Sequence, residues 1–133
     1  PPELQTLYVT SNDVHGELTR IVKNHLRNNK ISLNSGIQDG VPIVRILKDN
    51  LDRRTLSLFE NGQVAEYELI YSVNYEVHLP NKEPQSFKFE LNRDYQDDPD
   101  RALAKNRELA LLLSELRLHA ADRILRNLAS IQP

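Results

Sequence analysis

The chain of 133 residues contains no cysteine, which excludes disulfide bonds, thiolate metal sites and a cysteine nucleophile. It also lacks any run approaching the roughly 18 apolar residues that a bilayer-spanning helix needs. The four glycines form no phosphate-binding fingerprint, and the four histidines do not have the spacing of a zinc motif. The sequence therefore predicts one domain whose core needs no covalent crosslink, with no metal site and no cofactor.

No catalytic constellation is recognisable either. The serines lack the Gly-x-Ser-x-Gly elbow. The adjacent carboxylates Asp97 and Asp98 are typical of the start of a helix, where the helix dipole favours negative charge. Because nothing assembles a nucleophile, a base and an oxyanion donor, we expect a protein that is not an enzyme.

The most regular pattern lies between Leu56 and Leu79, with the sequence LSLFENGQVAEYELIYSVNYEVHL. Asn61-Gly62 separates two alternating runs and predicts a tight type I′ turn, since both central residues of that turn need positive φ. From Tyr67 to Leu79, apolar and aromatic residues occupy the odd positions and polar residues the even ones, with Ile70 as the exception. This alternation predicts one long strand with a buried face and a wet face.

The other segments complete an α+β pattern. We predict strands at 4–10, 41–48, 53–59 and 86–92, a short segment at 31–33, a loop at 36–40, a turn at 80–84, a first helix from Val14 to about Asn28, and a last helix from Asp98-Pro99 to about Ala129. This order predicts a mixed, largely antiparallel sheet of four to five strands, with both helices packed on one face.

The last predicted helix carries two apolar stripes. The first stripe contains Leu109, Leu112, Leu113, Leu116, Ala120 and Ile124, and we expect it to face the sheet. The second stripe, nearly opposite, contains Ala104, Leu111, Leu118 and Leu125. A helix that covers a sheet needs only one stripe, so the second should meet the other helix, a partner protein or solvent.

Charge is unevenly distributed along the chain, although the net charge is only −2. Eight basic residues face four acidic ones between residues 14 and 54, whereas three basic residues face ten acidic ones between 60 and 100. One part of the surface should therefore suit anions, unless both are simply solvated faces. The acidic second part argues against binding of nucleic acid by the aromatic strand residues, because phosphate backbones need positive charge.

Lys105 occupies the edge of the sheet-facing stripe of the last helix, where an ordinary core residue would be apolar. It either extends its ammonium group from the core into water, with the alkyl stem packed below, or binds a ligand. Lys105 is therefore the best single candidate for a functional residue.

Two central segments, FENGQVAEYELIYSVNYEVHLP and DDPDRALAKNRE, resemble the LptE family of lipopolysaccharide-assembly lipoproteins, once called rare lipoprotein B. The N-terminal LYVTSND, the LTRIVKNHLRNN helix and the terminal ADRILRNLASI run follow in the family's order. The resemblance implies a single domain over 1–133. Since the chain begins with Pro-Pro, it also implies a processed fragment whose signal peptide and acylated cysteine are missing.

The same resemblance implies a function and a site. Proteins of this family sit as a plug inside the β-barrel of LptD at the outer membrane, help that barrel assemble, and bind lipopolysaccharide. The lysine of the ALAK motif, here Lys105, is associated with that binding. The family's companion basic residue precedes the Asn-Gly pair, where this chain has Glu60, so Arg53 and Arg54 are candidates for the compensating cations that meet lipid A phosphates.

For the barrel partner we expect contacts through the second helix stripe and the hairpin tip. The candidate partner-binding residues are Leu111, Leu118, Leu125, Asn61 and Gly62. The alternative is a free-standing periplasmic module for a small ligand or lipid, with a pocket between helices and sheet.

Overall fold

Five strands and two helices make up the fold in the computed structural model, which describes residues 4–13, 16–97 and 102–131. In chain order they are β1 Thr6–Ser11, α1 Glu17–Asn28, β2 Ser32–Leu33, β3 Ile43–Leu58, β4 Val64–His78, β5 Gln85–Gln96 and α2 Ala102–Ser130. The predicted starts of the two helices, at Val14 and at Asp98-Pro99, lie outside the described residues.

The strands form one mixed sheet in the order β2-β1-β3-β4-β5. β1 pairs in parallel with β2 and β3, and the β3–β4 and β4–β5 pairs are antiparallel. Both helices contribute to one buried cluster with the residues of a single sheet face. We call this the inner face and the opposite one the outer face. The predicted α+β class, with a largely antiparallel sheet, is confirmed.

The alternation along β4 fixes which residues enter the core. Its odd-numbered residues from Leu69 to Val77 are buried on the inner face, whereas Ile70 and its even-numbered neighbours are only half-buried on the outer face. From α2, Leu116, Ala120 and Ile124 are buried against this face, so the first stripe does face the sheet.

β3 is one strand of 16 residues, although the sequence pattern predicted two. Its register against β4 shifts between Ile46 and Lys48 and again between Thr55 and Ser57. Such bulges insert an extra residue and let the polar stretch between the two predicted strands continue in the sheet. β1 pairs only with the first part of β3, from Ile43 to Ile46, so the far half of the sheet consists of β3, β4 and β5 among the described residues.

The turn at the hairpin tip differs from the predicted type I′ turn. Glu60, Asn61 and Gly62 form a three-residue loop, in which the Gly62 N–H donates to the Phe59 carbonyl at 2.9 Å and the Phe59 N–H donates to the Gln63 carbonyl at 2.7 Å. Only Gly62 has positive φ, at 85°. This is the type I turn followed by a left-handed glycine that three-residue hairpin loops adopt, and it uses the same Asn-Gly pair as a type I′ turn.

The end of α1 is closed by a residue in a left-handed conformation. Lys30 has φ 63°. The Lys30 N–H donates to the Arg27 carbonyl at 3.0 Å and the Ile31 N–H to the Leu26 carbonyl at 3.0 Å. These are the two hydrogen bonds of a Schellman motif, which usually carries glycine at this position. A lysine there holds a strained backbone on an exposed surface.

Candidate functional site

A cluster of two cations and two tyrosines lies on the inner face, in the far half of the sheet. The Arg53 guanidinium lies 4.5 Å from the centre of the Tyr67 ring, and the Lys105 ammonium lies 5.4 Å from the centre of the Tyr95 ring. The two rings stack on each other with their centres 6.0 Å apart. We call these four residues the basic–aromatic cluster, in which each cation is held over a ring face by the ring's electron density.

Lys105 is the more buried of the two cations. Its side chain is 17% exposed, and its ammonium donates at 3.0 Å to the Glu108 carboxylate, one turn along α2. Burial, and then the nearby Asp97 carboxylate, raises the pKa of Tyr95. The charges of Lys105 and Arg53 act on the same phenol in the opposite direction, which places both cations close to it.

Arg54, the second arginine predicted for the site, lies on the outer face. Its guanidinium donates at 2.9 Å to the Glu68 carboxylate on β4, and the two residues are direct cross-strand partners. The structure therefore brings Lys105 and Arg53 together but separates Arg54 from both. An ion pair with Glu68 also offsets the charge that Arg54 would offer to a ligand.

Glu60, Asn61 and Gly62 form the loop of the hairpin tip and are all exposed. The sequence patterns did not single out their apolar neighbours. Leu56, Leu58 and Phe59 are 42%, 60% and 45% exposed. The tip thus combines a polar loop with a small apolar group, and large exposed apolar residues that lie together often mark a contact with another molecule.

The leucines of the second stripe of α2 differ in their exposure to solvent. Leu111 and Leu118 are 60% and 46% exposed. Leu125, by contrast, packs against the core beside Leu4 and Ile31. Leu125 is thus half-buried and lines a cavity beside the start of β1, so it offers less free surface than Leu111 and Leu118, and its contact with a partner stays a prediction. Leu118 borders a groove between α1 and α2 and remains accessible.

Apart from the basic–aromatic cluster, the part of the chain that the structure describes has few groups that could form a metal site or another functional site. Within residues 4–13, 16–97 and 102–131, no three His, Asp or Glu side chains are grouped so that they could hold a metal ion. No helix of these ranges is both long and apolar enough to cross a membrane. The buried Tyr71 hydroxyl donates at 2.6 Å to the Asp49 carboxylate, and Asn127 donates at 2.6 Å to the Tyr75 hydroxyl. These two bonds satisfy buried phenols under α2 and are structural.

Comparison with known proteins identifies the family. The family model described as "LptE: Lipopolysaccharide-assembly" matches residues 4–128. The LPS-assembly lipoprotein LptE of Photorhabdus laumondii is 33% identical over 98% of this chain and 72% of its own length. This chain belongs to the LptE family. It is also 34% identical to the LPS-assembly lipoprotein LptE of Yersinia enterocolitica, over 96% of this chain and 62% of that protein.

Solved structures agree with this assignment. The crystal structure of the rare lipoprotein B from Shewanella oneidensis is 51% identical, covers 94% of both chains and has a TM-score of 0.87. A minor lipoprotein from Acinetobacter baumannii, at 20% identity and a TM-score of 0.76 over 98% of both chains, shares the fold. The resemblance to the LptE family is confirmed, and the chain is a member of a cell-envelope lipoprotein family of lipopolysaccharide assembly.

The two tyrosines are the part of the basic–aromatic cluster that the sequence patterns missed. Tyr95 lies beyond the predicted end of its strand, and the alternating pattern predicts only that Tyr67 belongs to the buried face. The pairing of Tyr67 with Tyr95 across β4 and β5 brings the rings together. An aromatic residue that flanks a basic one on the same predicted sheet face is a signal that could have found the pair.

Proposed function

We propose that this LptE-family chain is a non-enzymatic subunit of the outer-membrane lipopolysaccharide translocon. It plugs the LptD β-barrel, helps the barrel assemble, and binds lipopolysaccharide during its insertion into the outer leaflet. It acts from the periplasmic side of the outer membrane, held there by a lipid anchor outside this sequence. The observation that carries the proposal is the basic–aromatic cluster of Arg53, Tyr67, Tyr95 and Lys105.

The chemistry of the cluster suits a phosphorylated glycolipid. A planar guanidinium binds phosphate oxygens in pairs, and an ammonium adds a compact positive charge. Arg53 is oriented by the Tyr67 ring, and Lys105 by the Tyr95 ring together with its ion pair to Glu108. The half-buried Tyr67 ring offers a flat apolar surface beside these charges. Lipid A phosphates and the adjoining sugar are ligands that match this arrangement.

Three surfaces support a role inside a barrel. The outer face of the sheet carries mostly polar and charged side chains, as β4 and β5 show, and the lumen of an outer-membrane barrel is polar. Leu111 and Leu118 remain exposed on α2. The hairpin tip projects past the last paired residues of β5, where it can reach a partner. A compact domain with these features fits a wide polar channel.

Binding of purified lipopolysaccharide to the chain tests the ligand part of the proposal. The double variant Arg53→Gln/Lys105→Gln should bind at least about tenfold more weakly, because charge-assisted hydrogen bonds contribute roughly 1.5 to 3 kcal/mol each. Arg54→Gln is the matched control, since it removes a neighbouring charge on the opposite face and should leave binding nearly unchanged. Wild-type binding should also weaken as salt rises.

Equal affinities for the double variant and for Arg54→Gln would refute a ligand site at the cluster. Lys105→Asp sharpens the test, because it places a repulsive charge beside Tyr95. Glu60→Arg, which restores a cation at the hairpin tip, should strengthen binding if the tip contributes to the site.

Co-purification in detergent of the full-length, membrane-anchored form tests the barrel part. We expect the wild type to co-purify with LptD and Leu118→Asp to do so less, because a carboxylate disrupts an apolar contact. Leu118→Ser at the same position is a milder control. A wild-type protein that purifies alone would favour the free-standing ligand-binding module instead.

A further inference from the structure

A separate cavity lies between the first strand and the first helix, at the opposite end of the sheet from the basic–aromatic cluster. Its volume is about 310 Å³. Its polar lining comes from β1, α1 and the segment after β2, and includes Ser11, Thr19, Lys23, Arg27, Asn34 and Ser35. Pockets that hold small ligands begin at roughly this size. The cavity can therefore take a group as large as a phosphorylated sugar or a lipid headgroup.

The charge of the cavity is opposite in sign to that of the chain. None of its ten lining residues is acidic and two are basic, whereas the whole chain has a net charge of −2. Lys23 makes no side-chain hydrogen bond or ion pair with any other described residue. Arg27 makes one long hydrogen bond of 3.4 Å to the Asn24 amide oxygen, which leaves most of its donors free.

Lys23 and Arg27 stand one turn apart on the same side of α1. Like charges at this spacing repel each other, and a bound anion relieves that repulsion. The Asp13 carboxylate, which is close in sequence, lies towards the start of α1, because a Cβ atom built on Gly16 would be 3.1 Å from its Oδ2 atom. Among the described residues that line the cavity, no carboxylate accompanies the two cations.

The edge of β1 adds backbone donors. β2 ends at Leu33, which pairs with Leu7, so no described strand covers β1 beyond that point on this side. The N–H groups of Tyr8 and Asn12 donate towards β3, to the carbonyls of Pro42 and Ile46. By the alternation of a strand, the N–H groups of Val9 and Ser11 point the other way, to the edge where the cavity lies.

We propose that this cavity is an anion site that binds a phosphate group carried by a sugar or by a lipid headgroup. Two cations, the hydroxyl groups of Ser11 and Ser35 and the backbone N–H donors of the β1 edge line it, whereas the Thr19 hydroxyl already donates to the Asp13 carbonyl at 3.4 Å. Cations, hydroxyl groups and backbone N–H groups are the donors that phosphate oxygens use. The site lies level with Val44 and Val77, about ten residues of β4, or roughly 34 Å, from Tyr67. It is thus too distant to belong to the basic–aromatic cluster, and it does not depend on the proposed function.

The test is an NMR titration of the full isotope-labelled chain with inorganic phosphate, glucose 6-phosphate, and phosphatidylcholine vesicles with or without phosphatidylglycerol. Ionic strength is kept constant with chloride. We expect the amide signals of Val9, Ser11 and Asn34 to shift on addition of phosphate but not of chloride. Tighter binding of glucose 6-phosphate would assign a sugar phosphate, and a response only to phosphatidylglycerol would assign a lipid headgroup. No shift at these amides with any of the three probes would overturn the proposal.

Variants distinguish phosphate binding at this cavity from nonspecific attraction of anions to surface cations. Lys23→Gln/Arg27→Gln should weaken binding at least tenfold, whereas Lys88→Gln on the exposed outer face should not change it. Ser35→Asp places a negative charge in an exposed loop of the cavity and should abolish phosphate binding. Because it leaves the sequence of α1 unchanged, it still tests the site if the double variant fails to fold. Unchanged binding in a folded Lys23→Gln/Arg27→Gln protein would refute the site. Lys105→Asp should leave the phosphate shifts intact, so failure here and failure of the proposed lipopolysaccharide site are distinguishable.

Discussion

Two leucines on α2, only two residues apart, should respond very differently to truncation. Leu116 is 1% exposed and faces the sheet, whereas Leu118 is 46% exposed and lies beside the groove between the helices. Leu116→Ala removes buried methyl groups and leaves a cavity, which costs about 2 to 5 kcal/mol of unfolding free energy. Leu118→Ala loses only part of the transfer energy of its side chain and should cost less than about 1 kcal/mol.

Urea denaturation followed by circular dichroism measures both changes. The slope of the free energy against urea should stay constant, so that the shift of the midpoint reports stability alone. For a domain of this size, the loss in Leu116→Ala corresponds to a fall in melting temperature on the order of 10 °C. Equal losses for Leu116→Ala and Leu118→Ala would refute the assignment of the two helix faces, and with it the proposed exposure of Leu118 to a partner.

Three further outcomes follow from single contacts. Lys30→Gly should raise the free energy of unfolding by up to about 1 kcal/mol in urea denaturation, because glycine adopts the left-handed conformation without strain. Burial raises the pKa of Tyr71 and Tyr75, so both phenols stay neutral in the fold and ionise first in the unfolded chain. The free energy of unfolding should therefore fall above about pH 10, by up to about 1.4 kcal/mol per pH unit for each tyrosine. In Tyr71→Phe, the part of this pH dependence that comes from Tyr71 should be absent. Glu108→Gln should strengthen lipopolysaccharide binding by roughly two- to fivefold in a direct binding assay, because Glu108 competes with the ligand for Lys105.

The periodic parts of the sequence predicted the fold well. The inner face of β4 follows from strict alternation between Tyr67 and Leu79, because a residue's parity decides its face. The sheet-facing stripe of α2 follows from helical spacing in the same way. β5 runs four residues past its predicted end at Asn92, through Arg93 and Asp94. These polar residues have low strand propensity, so the sequence pattern does not predict a strand there. Their pairing with β4 stabilises the strand instead.

The candidate site was harder to predict because it depends on register. Val44 and Ile46 face the core at even positions, but after the bulge near Leu47 the inner positions of β3 are odd. Sequence alone cannot locate that bulge, so it cannot decide whether Arg53 or Arg54 shares a face with Lys105. The tip turn is ambiguous for a related reason, since Asn-Gly suits both a two-residue and a three-residue loop.

The uneven width of the sheet creates a gradient of local stability along the β3–β4 hairpin. Near Val77, β4 lies among paired strands on both sides, whereas beyond Ala65, whose carbonyl accepts from the Asp97 N–H, only two described strands remain. A two-stranded ribbon is barely stable in water by itself. Amide hydrogens at the tip should therefore exchange with solvent through brief local openings, and those near Val77 only when the whole domain unfolds. The tip, with its exposed Phe59, can thus adapt its shape to a partner at little cost to the rest of the fold.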